Sequence, residues 1–213
     1  MKIVFRKYPK FKQSIAMLFS TLLLTVYSCD HNKDVAIDFF NLNRCILIEL
    51  AKKICKQKEL DGIRRTKYAN YDKSYEYEFF CSSDSTNLNN KPCIIDIPNK
   101  YENDIDFWRM GYKNIYNDNH VRLDSFIIEN NIDTTLLSEV INVTIEKNIK
   151  SIVKDYYGKE TLEIDIGSGV QILYVPKGTQ LEMENIKGAK FEKIENDWYY
   201  YYNPQRTTPW DFE

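Results

Sequence analysis

The sequence predicts an α+β fold: two long amphipathic helices packed on an antiparallel sheet, with a C-terminal β-meander. Apolar residues recur at three- and four-residue steps in two stretches, 34–58 and 133–157. Elsewhere the period falls to two, and turn-forming residues separate the alternating stretches, most sharply at Gly167-Ser168-Gly169 and Asn196-Asp197.

The elements follow in order. From Asp34 to about Lys58, Ile37, Phe40, Leu47, Ala51 and Ile54 fall on one side of a helix, with Asp38, Glu49, Lys53 and Lys56 on the other. Asp61-Gly62 ends it. Ser74 to Cys81 alternates Tyr75, Tyr77 and Phe79 with Ser74, Glu76 and Glu78, the pattern of a half-buried strand. Cys93 to Ile97 is its short partner, closed by Pro98, and residues 99–120 carry no period. Asp133 is placed to cap the second helix, whose Leu137, Val140, Ile141, Ile145, Ile149, Ile152, Val153 and Tyr156 run to Gly158. Leu162, Ile164 and Ile166 alternate with Thr161, Glu163 and Asp165, and the chain returns along Gln171 to Val175 until Pro176 stops it. Thr179 to Met183 is suited to a further strand. Lys190 to Glu195 and Trp198 to Tyr202 form a last hairpin.

The N-terminus has a different character. Lys2, Arg6, Lys7, Lys10 and Lys12 precede thirteen mostly apolar residues, Ile15 to Tyr27, which end at Ser28-Cys29. As a helix that run reaches about 20 Å, short of the roughly 30 Å hydrocarbon core of a bilayer. A cationic segment followed by a short apolar one is the order of an export signal. Val26-Tyr27-Ser28-Cys29 resembles the lipobox of bacterial lipoproteins, in which the cysteine receives diacylglycerol and becomes the new N-terminus. The resemblance covers residues 1–29. The length beyond it suits one domain, read as a short linker over 29–33 and a single α+β domain over 34–213; the resemblance itself implies a signal peptide over 1–28 and lipid attachment at Cys29 through diacylglycerol and a fatty acyl chain such as palmitate. It also implies a place in the bacterial cell envelope, lipid-anchored to the outer membrane and facing the periplasm or the cell surface.

The net charge of −2 includes the five cationic side chains of that signal, so the part from Cys29 onward carries −7. Such a balance gives no electrostatic reason to bind nucleic acid, which needs clustered Lys and Arg. Cys45, Cys55, Cys81 and Cys93 remain. Cys45 and Cys55 share one helix and sit about 15 Å apart along it, beyond the reach of a bridge. Cys81 and Cys93 flank the polar run 82–92, so a Cys81–Cys93 disulfide is expected, with the other two free.

No residue pattern supplies a catalytic set, a metal site or a cofactor site. His120 is the single histidine beyond the linker, and no nucleophile signature surrounds any Ser or Cys. Asn117-Asp118-Asn119 starts like a calcium loop but puts Arg122 and Leu123 where an acidic ligand and a glycine belong. Glu163 and Asp165 share a strand face as two glycosidase carboxylates do, and alternation with Leu162 and Ile164 reads them as its solvated side. Asp84-Ser85-Thr86 and Asp133-Thr134-Thr135 resemble the short acceptor motif for O-glycosylation of exported bacterial proteins, with Ser85 in the polar loop and Thr134 at a helix start. Trp198-Tyr199-Tyr200-Tyr201-Tyr202, with Trp210 and Phe212, places aromatics on both faces of the last strand, and Trp198, Tyr200, Tyr202 and Trp210 form a candidate binding face.

These observations favour a membrane-anchored, non-enzymatic binding protein with a protein or glycan partner. The alternatives are an immunity or inhibitor protein against an envelope-acting toxin, and a hydrolase whose residues are dispersed along the chain.

Overall fold

The computed structural model describes residues 9–57, 59–67, 74–81, 93–104, 123–183 and 185–206, with side chains from residue 31 onward, Lys67 excepted. Three described α-helices, α1 (Pro9–Lys56), α2 (Leu123–Glu129) and α3 (Thr134–Glu146), pack on one face of an antiparallel sheet. Its eight described strands are β1 (Gly62–Lys67), β2 (Ser74–Phe80), β3 (Cys93–Pro98), β4 (Ser151–Lys154), β5 (Leu162–Gly167), β6 (Val170–Tyr174), β7 (Lys190–Glu195) and β8 (Trp198–Tyr202), in the order β3-β2-β1-β4-β5-β6-β8-β7. The α+β class and the C-terminal meander are therefore present.

Helix α1 lies across β5, β6 and β8 and buries Ala36, Phe40, Leu47, Leu50, Ala51 and Ile54. Those positions repeat at three, four and seven residues, so one stripe meets the sheet while Asp34, Asp38 and Lys52 stay in water. The stripe shares one core with inward side chains of alternate strand positions, among them Ile63, Phe79, Ile95, Ile152, Ile164 and Ile172.

The second predicted helix is corrected. Asp133 caps α3 as expected, accepting the backbone N–H groups of Thr135 and Leu136 at 2.8 and 3.3 Å. The helix then stops at Glu146, not near Gly158. Asn148 adopts a left-handed φ of 50°, while Ile149 N–H reaches Thr144 O at 2.9 Å and Asn148 N–H reaches Ile145 O at 3.1 Å. That pair of bonds closes a helix with an asparagine in the usual glycine place. Ile149, Ile152 and Val153 consequently enter or flank strand β4, where β-branched side chains lose less freedom than in a helix. Among the described residues, one long helix and two shorter ones thus stand where two long helices were expected.

Strand β1 lay hidden because Ile63 is the one apolar side chain in Gly62–Lys67. It pairs with β2 along its whole length and with β4 at Gly62–Arg64. A Cβ on Gly62 would lie 2.2 Å from the Ile152 carbonyl oxygen, so this crossing of strands requires glycine. Thr179 to Met183 is not a strand. Leu181 and Met183 instead cover the outer sheet face, packing with Tyr157, Leu173, Val175 and Tyr201 as a second small core, and Glu182 N–H ties the segment to Tyr157 O at 2.8 Å.

Candidate functional site

The candidate aromatic face divides. Trp198 and Tyr200 are 3% and 1% exposed and face α1, with the Trp198 ring 5.2 Å from Phe40 and 5.3 Å from Tyr174. They belong to the core, because α1 crosses the sheet on the side to which alternation sends residues 198, 200 and 202. Tyr202 packs half-buried against the same core. Trp210 lies outside the described residues.

The open aromatics stand on the other face. Phe191 on edge strand β7 stacks on Tyr199, with centroids 4.8 Å apart and planes at 9°, and Phe191 is 39% exposed. The Lys193 ammonium sits 6.0 Å from the Tyr199 ring. Phe191, Tyr199 and Leu181 line a cleft of about 650 Å³ whose rim carries Lys177, Lys193 and Asp197. An apolar floor with a charged rim is the make-up of a ligand site, and flat rings suit sugar rings or aromatic side chains.

A larger cleft of about 920 Å³ opens at the C-terminal end of α1 between Lys52, Cys55, Lys56, Cys81, Lys154 and Tyr174. Burial, with help from Asp155, pushes the Cys55 thiol up to about 11. Burial and Asp61 push Cys81 up to about 12. Both stay protonated at neutral pH, the opposite of a thiolate nucleophile. Lys154 is committed structurally, donating to Gln57 O at 2.6 Å and lying 3.4 Å from Asp61. Cys93 opens β3 opposite Phe79, two residues before Cys81, but the expected disulfide is not formed: Cys45, Cys55, Cys81 and Cys93 are free thiols in this structure.

Glu163 and Asp165 are also corrected. Glu163 is 2% exposed rather than solvated, because the C-terminal turn folds back and Arg206 donates to its carboxylate. The Arg206 guanidinium lies 4.7 Å from the Tyr156 ring. Beneath it, the Tyr157 hydroxyl donates to Gln171 at 3.2 Å. Asp165 accepts Gly167 N–H at 2.8 Å. Burial raises the pKa of Glu163 against the opposing pull of Arg206, and burial likewise raises Asp165.

A raised carboxyl pKa means that the folded chain holds the proton more tightly than the unfolded one. Stability from this source is full below the ordinary values of 4.5 and 3.8 and is lost as pH rises through the raised ones. Glu163→Gln should therefore gain stability relative to wild type as pH rises from about 4 to about 7. Urea melts of both proteins across that range check it, and a pH-independent difference would refute it.

One buried network had no signal in the sequence. Arg65 points inward from β1, where its Nε donates to Glu102 at 2.8 Å and to the Tyr77 hydroxyl at 3.0 Å, and its Nη1 donates to Asn148 at 2.7 Å. Tyr77 donates its hydroxyl proton to the same Glu102 oxygen, and the Tyr75 ring lies 3.6 Å from the guanidinium carbon. The network joins β1 and β2 to the link between α3 and β4.

The remaining sequence candidates scatter. Thr134 is exposed as the first residue of α3, while its neighbour Asp133 is engaged in the cap. Ser85, His120 and Asn117 to Asn119 lie outside the described residues, and so does the side chain of Cys29 on α1. His31 is exposed on α1. Among the described residues no three His, Cys, Asp or Glu side chains gather to hold a metal. The chain matches no known family model, curated protein or solved structure.

Proposed function

We propose that the protein is a bacterial envelope lipoprotein, held to a membrane by acyl chains on Cys29, whose domain binds a glycan or protein without catalysis. The observation that carries this is the N-terminal order: five cations, thirteen mostly apolar residues, then Ser28-Cys29. The start of packing on α1 supports it. Lys33 pairs with Glu192, and Ala36 and Phe40 are the first fully buried side chains described. A chain that begins at Cys29 keeps all of these contacts. Among the described residues no helix is long and apolar enough to cross a membrane.

The Phe191–Tyr199 ledge is the surface offered to the partner. Lys33, four residues beyond Cys29, pairs with Glu192, the chain neighbour of Phe191, so the strand that carries the ledge lies beside the part of α1 near the proposed anchor. The protonated thiols of the larger cleft weigh against thiol-based hydrolysis there.

Intact-mass analysis of protein from bacterial membranes should find an acylated N-terminal Cys29, and the chain should partition into detergent, whereas Cys29→Ala stays uncleaved or soluble. An unmodified N-terminus at another residue would refute the anchor. Titration with envelope oligosaccharides should shift Tyr199 resonances, and Phe191→Ala should weaken binding roughly two- to tenfold. Binding indifferent to Phe191 would refute the ledge.

A further inference from the structure

The side of α1 opposite the core carries charges in an order that is its own complement. At 3.6 residues per turn, Asp34, Asp38, Cys45, Lys52 and Lys56 fall within about 20° of one line along the helix, and all five are exposed. Asp38 and Lys52 each lie seven residues from Cys45, and Asp34 and Lys56 each lie eleven. On that line acids occupy one half and lysines the other; Glu49, about 40° to the side, pairs with Lys52 at 3.2 Å within the helix, an exposed contact that Lys52 exchanges for Asp38 of the second copy. Leu42 beside the line is 84% exposed, with Val35 and Ile46 on the same flank at 40% and 38%. No described residue covers this leucine.

We propose that this face docks a second copy of the chain, antiparallel, with the two Cys45 side chains facing each other across a two-fold axis. In that register Asp38 faces Lys52 of the second copy and Asp34 faces its Lys56, and symmetry doubles both pairs. Parallel pairing would set like charge against like. The two Leu42 side chains fall on the same side of the seam, about 9 Å apart along it, so each is partly covered by the second helix, the part of the contact that burial favours. A membrane is a poorer occupant, since the acidic half of the face is repelled by anionic lipid.

The test uses the full-length chain extracted in detergent. Sedimentation should show a dimer that weakens as salt is added. A short bismaleimide, to which each thiol adds across one maleimide double bond, should link Cys45 to Cys45. Cys45→Ser should lose the link and keep the dimer. Asp34→Lys with Asp38→Lys, and separately Lys52→Glu with Lys56→Glu, should each weaken the dimer at least about tenfold, since every facing pair becomes repulsive. Mixing the two reversed proteins should restore a heterodimer linked through Cys45. Matching thermal melts of all variants show that the exposed substitutions leave the fold intact. A wild-type chain that sediments as a monomer at every concentration, a Cys45 link indifferent to charge reversal, or failure of the mixture to pair overturns the proposal. So does a monomer that uses this face to bind anionic vesicles.

Discussion

Glu102→Ala should cost the fold about 3–5 kcal/mol, the range for removing one member of a buried ion pair. Its partner Arg65 has a side chain only 8% exposed, and Glu102 is 10% exposed. With the carboxylate gone, the guanidinium keeps the Tyr77 hydroxyl and Asn148 as partners but no counter-charge. The loss extends beyond one contact, since β1, β2, the turn after β3 and the α3–β4 link meet at this network. Urea unfolding should show a lower midpoint with an unchanged slope. Arg65→Met, Tyr77→Phe and Glu102→Leu made together should cost much less than Glu102→Ala alone, because no buried polar group is then left unpaired. A Glu102→Ala loss under about 1 kcal/mol would place the pair among water-screened surface pairs and refute the network's role.

The same network shows where the sequence was legible and where it was not. Strands β2 and β5 announce themselves because apolar and polar residues alternate, β7 and β8 by the Asn196-Asp197 turn and the aromatic run that follows it, and Asp133 announces α3 by its capping chemistry. β1 puts Arg65 at an inward position, so the charge breaks the alternation that would reveal the strand. Its partner Glu102 comes 37 residues later with no local mark of the pairing. Ile149 and Ile152 satisfy a helical and a strand pattern alike, and the left-handed Asn148 decides between them. Glu163 and the aromatic run fail for another reason: alternation sorts residues onto two faces but does not say what covers each. Arg206, Leu181 and Met183 cover the outer face here. That places Glu163 in the interior, and α1 takes Trp198 and Tyr200 from the candidate binding face, leaving Phe191 and Tyr199 open.

Helix α1 is the one element that connects the proposed anchor to the domain, and Phe40→Ala should expose how firmly it is docked. Phe40 is fully buried, with its ring 5.2 Å from Trp198, which in turn lies 5.3 Å from Tyr174. Trp198 and Tyr174 are paired across β8 and β6 by the sheet register, so the walls of the cavity cannot close on it. Removing a buried phenyl ring under such constraint costs about 3–5 kcal/mol. The ion pairs Lys33–Glu192 and Arg44–Glu195 stand on either side of Phe40, but all four side chains are a third or more exposed. Pairs of that kind contribute about 0–1 kcal/mol each and cannot hold the helix in place of the lost ring. Hydrogen exchange should then rise first along α1, before β5 and β6. Leu42→Ala, two residues away on the outward face, should change the stability of the monomer by no more than about 0.5 kcal/mol. If the two substitutions cost the same, the stripe Ala36–Phe40–Leu47 does not dock α1, and the helix joins the anchor to the domain only as a loose tether.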